Sequence, residues 1–283
     1  MISLASLRRV RADKPPRSLI YGPQGVGKST LASEFPDAVW LQTEDGTPGG
    51  VELDTFGKLS NYADVVDALG SLYNEPHDFR HVVLDSATAL SPIINQEACE
   101  RGDDEGKKYA TIEEFPYGKG PSYAMRVWDE FLIALDMLRD DRGMGIVIIA
   151  HSVITDFKDP LTATYNRYAV GLPATDKPST NIRGRVTRDM DAVIFLNRNV
   201  TIKAEDKTGV ASKSDKTTAR VRATGGFAVM AHTSINPAYD AKNRYGMPET
   251  IRIDIGKGYA ELAKYFPAIQ AAPVAAIEHK EAA

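Results

Sequence analysis

The sequence contains a single cysteine, Cys99, and no apolar run that approaches the roughly 18 residues needed to span a membrane. One cysteine excludes a disulfide bond within the chain and any zinc site built on several thiolates. The N-terminal stretch also lacks an apolar block followed by a small-residue cleavage site, which argues against secretion. We therefore expect a cytoplasmic protein with no membrane partner.

The chain also lacks an excess of basic residues. Its 34 lysines and arginines face 38 aspartates and glutamates, which gives a net charge of −4 over 283 residues. This balance excludes a protein that binds nucleic acid through a globally basic surface, but it leaves room for a locally basic one. With 43% hydrophobic and 25% charged residues, the composition is that of a folded globular protein.

Short apolar runs alternate with amphipathic stretches along the first 150 residues. The apolar runs predict strands at residues 18–21, 38–42, 81–84 and 145–150. The amphipathic spacing predicts helices at residues 28–35, 61–73 and 122–138. Continuous apolar strands between helices indicate an α/β fold with a mostly parallel sheet that is buried on both faces.

The second half of the chain follows a different pattern. Strand-like runs occur at residues 192–196, 218–223 and 250–255, and the last two alternate as half-exposed antiparallel strands do. We predict three parts, which are a lead-in segment at 1–17, one domain at 18–267 and a flexible tail at 268–283. The domain carries two insertions, at about 99–121 and 152–188.

A glycine-rich segment joins the first predicted strand to the first predicted helix. Its residues are Gly22, Pro23, Gln24, Gly25, Val26, Gly27, Lys28, Ser29 and Thr30. The spacing G-x-x-x-x-G-K-S in this context is that of a P-loop, or Walker A motif, whose backbone N–H groups surround phosphates at a helix N-terminus. Because Lys28 can reach the β- and γ-phosphates and the Ser29 hydroxyl can ligate Mg²⁺, we predict a site for ATP and Mg²⁺.

Asp85 directly follows the strand predicted at 81–84. P-loop proteins hold the Mg²⁺ shell with an acid at this position, so Asp85 is the second candidate Mg²⁺ ligand. It could instead cap the helix-like stretch that begins after Ser86.

Many ATPases place a water-activating glutamate directly after this acid, but here Ser86 occupies that position, so the base must come from elsewhere. Glu44 and Asp45 follow the strand at 38–42, and ligand sites gather at such strand ends in open α/β sheets. Either residue could instead be a solvated turn carboxylate.

Lys242 and Arg244 stand two residues apart on an extended segment before the strand at 250–255. Residues with this spacing point the same way, so both side chains could face one phosphate group. The alternative is an exposed basic turn.

The insertion at 152–188 is basic, with six lysines and arginines against three aspartates. Phe157, Tyr165 and Tyr168 lie among these charges, and a groove for single-stranded nucleic acid combines cations with aromatic rings in this way. The candidate DNA-binding residues are Lys158, Arg167, Tyr168, Arg183 and Arg185. The alternative is a solvated loop whose tyrosines pack on the body of the domain.

Seven stretches, in order over roughly residues 18–255, resemble the phage-encoded RecA-like ATP-binding proteins of the single-strand annealing and recombination type. They are IYGPQGVGKST, LQTEDG, VVLDS, EEFPYGKGPSYA, VIIAHS, DPLTATYNRY and AKNRYGMPE. Two departures are residues 120–123 (GPSY, where the family usually reads GKGY) and the segment 200–217, which lies outside the pattern. The resemblance implies a RecA-like P-loop NTPase core, with a mostly parallel sheet flanked by helices and antiparallel strands added in the C-terminal half.

The resemblance also assigns roles to individual residues. It implies that Glu44, and not Asp45, activates water, and that His151 is a sensor that links the γ-phosphate to DNA-binding loops at the two insertions. A histidine that is simply hydrogen-bonded to backbone is the alternative at this strand end. Similarity to RecA-like hexameric helicases implies that Lys242 and Arg244 reach the ATP of a neighbouring subunit in trans.

The resulting hypothesis is a Mg²⁺-dependent, DNA-stimulated ATPase that binds single-stranded DNA and promotes annealing or recombination. It would work as a homo-oligomer, either a ring or a filament, in the bacterial host cytoplasm if it is phage-encoded. A single-strand DNA-binding protein is a further candidate partner. The alternatives are a replicative helicase-like motor, a small-molecule kinase whose lid is the insertion at 152–188, and a non-catalytic ATP switch. The basic segment at 200–222 could contribute to a DNA groove or to a subunit contact.

Overall fold

The computed structural model describes residues 14–204 and 221–269. The strands in these ranges are β1 (Arg17–Gly22), β2 (Ala38–Gln42), β3 (Asp54–Lys58), β4 (His81–Asp85), β5 (Gly145–Phe157), β6 (Tyr165–Val170), β7 (Ala192–Ala204), β8 (Val221–His232), β9 (Lys242–Asn243) and β10 (Thr250–Ile253). The α-helices are α1 (Lys28–Ala32), α2 (Tyr62–Asn74), α3 (Ala87–Arg101), α4 (Gly120–Asp141), α5 (Ile182–Asp189) and α6 (Gly258–Ala263). Short 3₁₀ helices lie at Ile112–Glu114, Pro116–Gly118 and Pro178–Thr180.

The strands form one sheet in the order β10-β8-β7-β1-β5-β4-β2-β3, with β6 paired to β5 and β9 paired to β7. The pairs from β3 across to β7 are parallel, whereas β6, β8, β9 and β10 pair antiparallel. The predicted fold class is therefore confirmed as a mostly parallel sheet flanked by helices, with antiparallel strands added in the C-terminal half. The parallel order also brings the carboxyl ends of β1, β2, β4 and β5 to one edge.

Both faces of the sheet are covered, which explains the continuous apolar strands of the sequence. Leu19 and Tyr21 of β1 belong to a core shared with α2, α3 and α4, which includes Trp128 and Phe131. Ile20, between them, belongs to a second core. That second core includes side chains from α1 and α6. Alternate residues of one strand thus face opposite helical layers.

The insertion at 152–188 is more regular than the sequence indicates. β5 does not end at residue 150 but continues to Phe157 and pairs with β6 in an antiparallel hairpin, with Ser152 opposite Val170. The same insertion contains α5, whose N-cap is Asn181. Local periodicity is weak here because each hairpin strand is ordered by its partner.

Other boundaries differ by a few residues. The first helix ends at Ala32 and not at 35, and the strand predicted at 192–196 continues to Ala204. β3 was not predicted, because all five of its residues are exposed and it has no apolar pattern. Parts of four predicted segments lie outside the described residues, namely 1–13 of the lead-in, 205–220 of the basic segment, the start of the strand at 218–223 and most of the tail. Within the described ranges, no helix is long and apolar enough to cross a membrane.

Candidate functional site

The P-loop leaves β1 at Gly22 and enters α1 at Lys28. Gly25 and Gly27 have φ angles of 72° and 108°, which side chains other than glycine rarely adopt. Gly22 is constrained by space, since a Cβ added there would overlap the carbonyl oxygen of Leu196 in β7. Gly25 and Gly27 therefore allow the loop to turn, and Gly22 allows the close contact with β7.

Lys28 lies against the carbonyl side of the loop. Its Nζ donates to the carbonyl oxygens of Gly22 at 3.1 Å and Pro23 at 3.0 Å. Burial lowers the pKa of Lys28, while the negative charges of Asp85 and Glu44 act in the opposite direction. A buried ammonium that is held at a P-loop is placed to interact with phosphate oxygens.

Ser29 and Asp85, the two predicted Mg²⁺ ligands, are in direct contact. The Ser29 hydroxyl donates to Asp85 Oδ2 at 2.9 Å. Burial raises the pKa of Asp85, and the hydrogen bond from Ser29 and the charge of Lys28 partly offset that effect. The described residues contain no cluster of three or more His, Cys, Asp or Glu side chains that could hold a metal. A hydroxyl and one carboxylate fit Mg²⁺, which completes its shell with water and nucleotide oxygens.

The helix-cap alternative for Asp85 does not hold. The N-cap of α3 is Ser86, whose side chain accepts a hydrogen bond from the backbone N–H of Ala89 at 3.2 Å. The carboxylate of Asp85 is therefore not needed for capping and stays beside Ser29.

Glu44 is brought to the same edge of the sheet and contacts His151. Its two carboxylate oxygens lie 3.2 and 3.3 Å from His151 Nε2. Asp45, the rival carboxylate, is 84% exposed and pairs with Lys58 of β3 at 2.9 Å. Of the two candidates, the structure places Glu44 and not Asp45 beside the P-loop and Asp85.

His151 shows features of both interpretations that the sequence left open. Its backbone N–H donates to Thr88 Oγ1 at 3.0 Å, and its carbonyl accepts from the N–H of Gly171 at 2.8 Å. Its ring is nevertheless free to contact Glu44. Backbone hydrogen bonds thus anchor His151, and its imidazole contacts the carboxylate of Glu44.

Three residues of this edge were not found from the sequence. Thr43 Oγ1 accepts from the N–H of Ser86 and donates to its carbonyl, both at 2.9 Å, and so joins the ends of β2 and β4. Thr88 anchors His151 as described above. Arg198 Nη2 donates to the carbonyl oxygen of Gly25 in the P-loop at 3.3 Å. The available signal for Arg198 was a cation placed two residues beyond a predicted strand.

Lys242 and Arg244 lie at the opposite edge of the sheet. β9 pairs with Ala192 and Val193 at the start of β7, and Ala192 pairs with Ser18 at the start of β1. Ser18 lies four residues before Gly22 on β1, which puts the pairing position of Asn243 about 13 Å from the start of the P-loop at ~3.3 Å per residue. The two cations therefore do not contact the P-loop of their own chain.

The two side chains also have separate partners. Lys242 Nζ donates to the carbonyl oxygens of Arg188 at 2.7 Å and Thr187 at 3.3 Å, near the C-terminal end of α5. Arg244 Nη1 pairs with Asp191 at 2.9 Å. The expectation that both point at one group is not met within a single chain.

Among the candidate DNA-binding residues, two arginines are ion-paired within the chain. Arg167 pairs with Asp240 at 3.1 Å and lies over the ring of Phe157 at 3.9 Å. Arg185 pairs with Asp129 at 2.6 Å and with Asp189 one turn along α5. These contacts occupy much of the positive charge that the sequence assigned to a groove.

The other three candidates differ in exposure. Tyr168 stacks on Phe195 with ring centroids 5.0 Å apart, as in the alternative that packs tyrosines on the body. Arg183 is partly buried, and burial lowers its pKa. Lys158 is exposed at the end of the β5–β6 hairpin. The structure therefore does not gather the five candidates on one open face.

A family model described as an AAA domain matches residues 14–245. No curated protein matches the chain. Among solved structures, a crystal structure of the RadB recombinase is similar with a TM-score of 0.40 and 16% identity, covering 68% of this chain and 81% of that chain. The family match includes the P-loop and extends over well more than half of the 283 residues. The chain therefore belongs to the AAA domain family and is a P-loop ATPase.

Proposed function

We propose that this protein is a Mg²⁺-dependent ATPase that binds single-stranded DNA and promotes annealing or homologous recombination, in a phage or prophage setting. The observation that supports hydrolysis, rather than nucleotide binding alone, is the convergence of three groups at one sheet edge. These are Lys28 on the P-loop, the Ser29–Asp85 pair and the Glu44–His151 pair.

Glu44 is the group that we assign to water activation. Its carboxylate accepts a proton from the water whose oxygen bonds to the γ-phosphorus as the bond to the leaving ADP oxygen breaks. Lys28 and the P-loop N–H groups stabilise the charge on the phosphate oxygens. Mg²⁺ held by Ser29 and Asp85 supplies further neutralisation of that charge when bound.

His151 connects this site to the hairpin that we propose for DNA binding. β5 passes without interruption from His151 into the hairpin, so a change in the Glu44–His151 contact acts directly on the hairpin backbone. The hairpin exposes Lys158 and the apolar side chain of Ile154, which is 64% exposed. A cation for the phosphodiester backbone and an apolar surface for bases suit single-stranded DNA.

A second copy of the chain supplies the rest of the proposed site. Lys242 and Arg244 lie at the sheet edge opposite the P-loop of their own chain. They therefore contact an ATP only when it is bound to the P-loop of a neighbouring copy. An arginine supplied in trans is worth about 10³–10⁵ in rate. The proposed assembly is therefore a homo-oligomer, a ring or a filament, with shared sites.

The test compares Glu44→Gln with Asp45→Asn, two isosteric changes at adjacent residues. Loss of a general base costs about 10²–10⁴ in rate, so we expect Glu44→Gln to bind ATP and lose turnover, and Asp45→Asn to keep it. ATPase rates are measured with and without single-stranded DNA over a range of protein concentrations. We expect stimulation by DNA and a rate per subunit that rises with concentration.

Two results would contradict the proposal. Normal turnover by Glu44→Gln removes the assigned base. A rate that is flat with concentration and unaffected by DNA, but raised by a nucleoside or sugar, favours the small-molecule kinase instead.

A further inference from the structure

Arg198 lies in the middle of β7, three residues beyond the part of the strand that pairs with β1. β7 pairs in parallel with β1 up to Phe195 opposite Tyr21, and the Leu196 carbonyl then lies directly against Gly22. Two residues later, Arg198 Nη2 donates to the carbonyl oxygen of Gly25 at 3.3 Å. β7 therefore places this arginine at the same edge of the sheet as the P-loop of its own chain.

The backbone at Arg198 is fixed locally. Its N–H donates to Oδ1 of Asn197 at 2.8 Å. The pairing of β7 with β8 is regular up to Arg198, opposite Val229, and shifts register before Val200. A bulge at such a point commonly re-aims a side chain, and here it follows the residue that reaches the loop.

Two cations thus donate to carbonyl oxygens of the P-loop. Lys28 donates to the carbonyl oxygens of Gly22 and Pro23, and Arg198 donates to that of Gly25. In the part of the chain that the structure describes, no carboxylate pairs with Arg198, although most other arginines there have one. The guanidinium also has further N–H donors beyond the one used on Gly25, in a geometry that matches phosphate oxygens.

We propose that Arg198 is a further phosphate-binding residue of the nucleotide site, supplied in cis, and that it contacts the terminal phosphate of ATP. Gly25 lies in the half of the P-loop that precedes the start of the helix. The N–H groups at the helix start surround the α- and β-phosphates, so a cation at Gly25 lies toward the γ-phosphate. This inference rests on the proposed function only in requiring that the P-loop binds ATP.

The experiment measures equilibrium binding of a non-hydrolysable ATP analogue and of ADP, each with Mg²⁺, by isothermal titration calorimetry. The variants are Arg198→Ala, Arg198→Gln and Arg198→Lys. Arg252→Ala is the matched control, because Arg252 is exposed on β10 and pairs with Asp254 away from the loop. Lys28→Ala reports on the P-loop itself, and thermal unfolding checks that each variant is folded.

A charge-assisted hydrogen bond to phosphate corresponds to about ten- to hundredfold in affinity. We expect Arg198→Ala and Arg198→Gln to weaken the triphosphate by this factor and to leave ADP nearly unchanged, with partial recovery in Arg198→Lys. Equal losses for both nucleotides, or no loss in the folded Gln variant, would overturn the inference. If Lys28→Ala also leaves both affinities unchanged, the nucleotide site itself has been misplaced, which separates the two failures.

Discussion

Replacing Asp191 by asparagine is expected to destabilise the protein through three arginines at once. Asp191 precedes β7, and its side chain is 8% exposed. It accepts from Arg17 at 3.3 Å, from Arg139 at 3.1 Å and from Arg244 at 2.9 Å. One buried carboxylate thus holds the start of β1, a residue of α4 and the proposed trans arginine together.

The expected loss in the free energy of unfolding depends on the partners that each arginine retains when Asp191 is replaced. Removing one partner of a buried ion pair costs about 3–5 kcal/mol, because the remaining charge is left uncompensated. Arg17 still has Asp136 at 2.9 Å, Arg139 still has the carbonyl of Pro15 at 2.6 Å, and Arg244 is 53% exposed to water. The lower end of the range applies, so we expect Asp191→Asn to lose about 3 kcal/mol in the free energy of unfolding.

Urea unfolding at pH 7 measures this loss. Asp254→Asn is the control, because Asp254 forms an exposed pair with Arg252 and its removal should cost less than about 1 kcal/mol. If the two variants unfold at the same urea concentration, Asp191 is not the organising charge of this cluster and the reasoning is wrong.

The same carboxylate predicts a pH dependence. Burial would raise the pKa of Asp191, but the hydrogen bond and charge of Arg17 and the charge of Arg139 outweigh it, and the pKa lies below its ordinary value of 3.8. A carboxyl with a lowered pKa in the folded state stabilises that state above its unfolded pKa. The stability difference between wild type and Asp191→Asn should therefore be full at neutral pH and shrink as the pH falls below 3.8.

Two further predictions concern the shared site and the P-loop. Lys28→Ala and Arg244→Ala should each be inactive alone, but an equal mixture should show about a quarter of wild-type ATPase activity if sites form between copies. In such a mixture about a quarter of the sites combine an intact P-loop with an intact Arg244 from the neighbouring copy. No recovery in the mixture would count against a trans arginine. Gly22→Ala should lose about 1–3 kcal/mol in urea unfolding and weaken ATP binding, because its methyl group overlaps the Leu196 carbonyl. Gly70→Ala in α2, where a Cβ meets nothing within 4 Å, should be neutral or slightly stabilising, and equal effects of the two changes would refute the packing argument.

The nucleotide edge could be predicted from the sequence because its constraints are local. Gly22 to Ser29 specify a turn between a strand and a helix, and a parallel sheet brings the ends of neighbouring strands together without further information. That is why Asp85 and Glu44, 41 positions apart in the sequence, were expected at one site. The structure adds Thr43, whose contacts with Ser86 hold the two strand ends in register.

The fate of the basic residues could not be predicted in this way. Arg167 is neutralised by Asp240 and Arg185 by Asp129, partners that are 73 and 56 positions away. A count of charges within one insertion cannot show such pairs, because the neutralising carboxylate belongs to another element. β3 was missed for a related reason, since its five residues are exposed and it is recognised by its pairing with β2 and not by an apolar pattern.

β7 connects the two arginines that we assign to nucleotide chemistry. Its start, beside Asp191, carries the cluster that holds Arg244, and six residues after that start Arg198 lies against the P-loop. If Arg244 acts on a neighbouring copy, each copy presents its P-loop edge to one neighbour and its Arg244 edge to another. Such a contact joins two different surfaces, so it generates a ring or a filament and not a symmetric dimer.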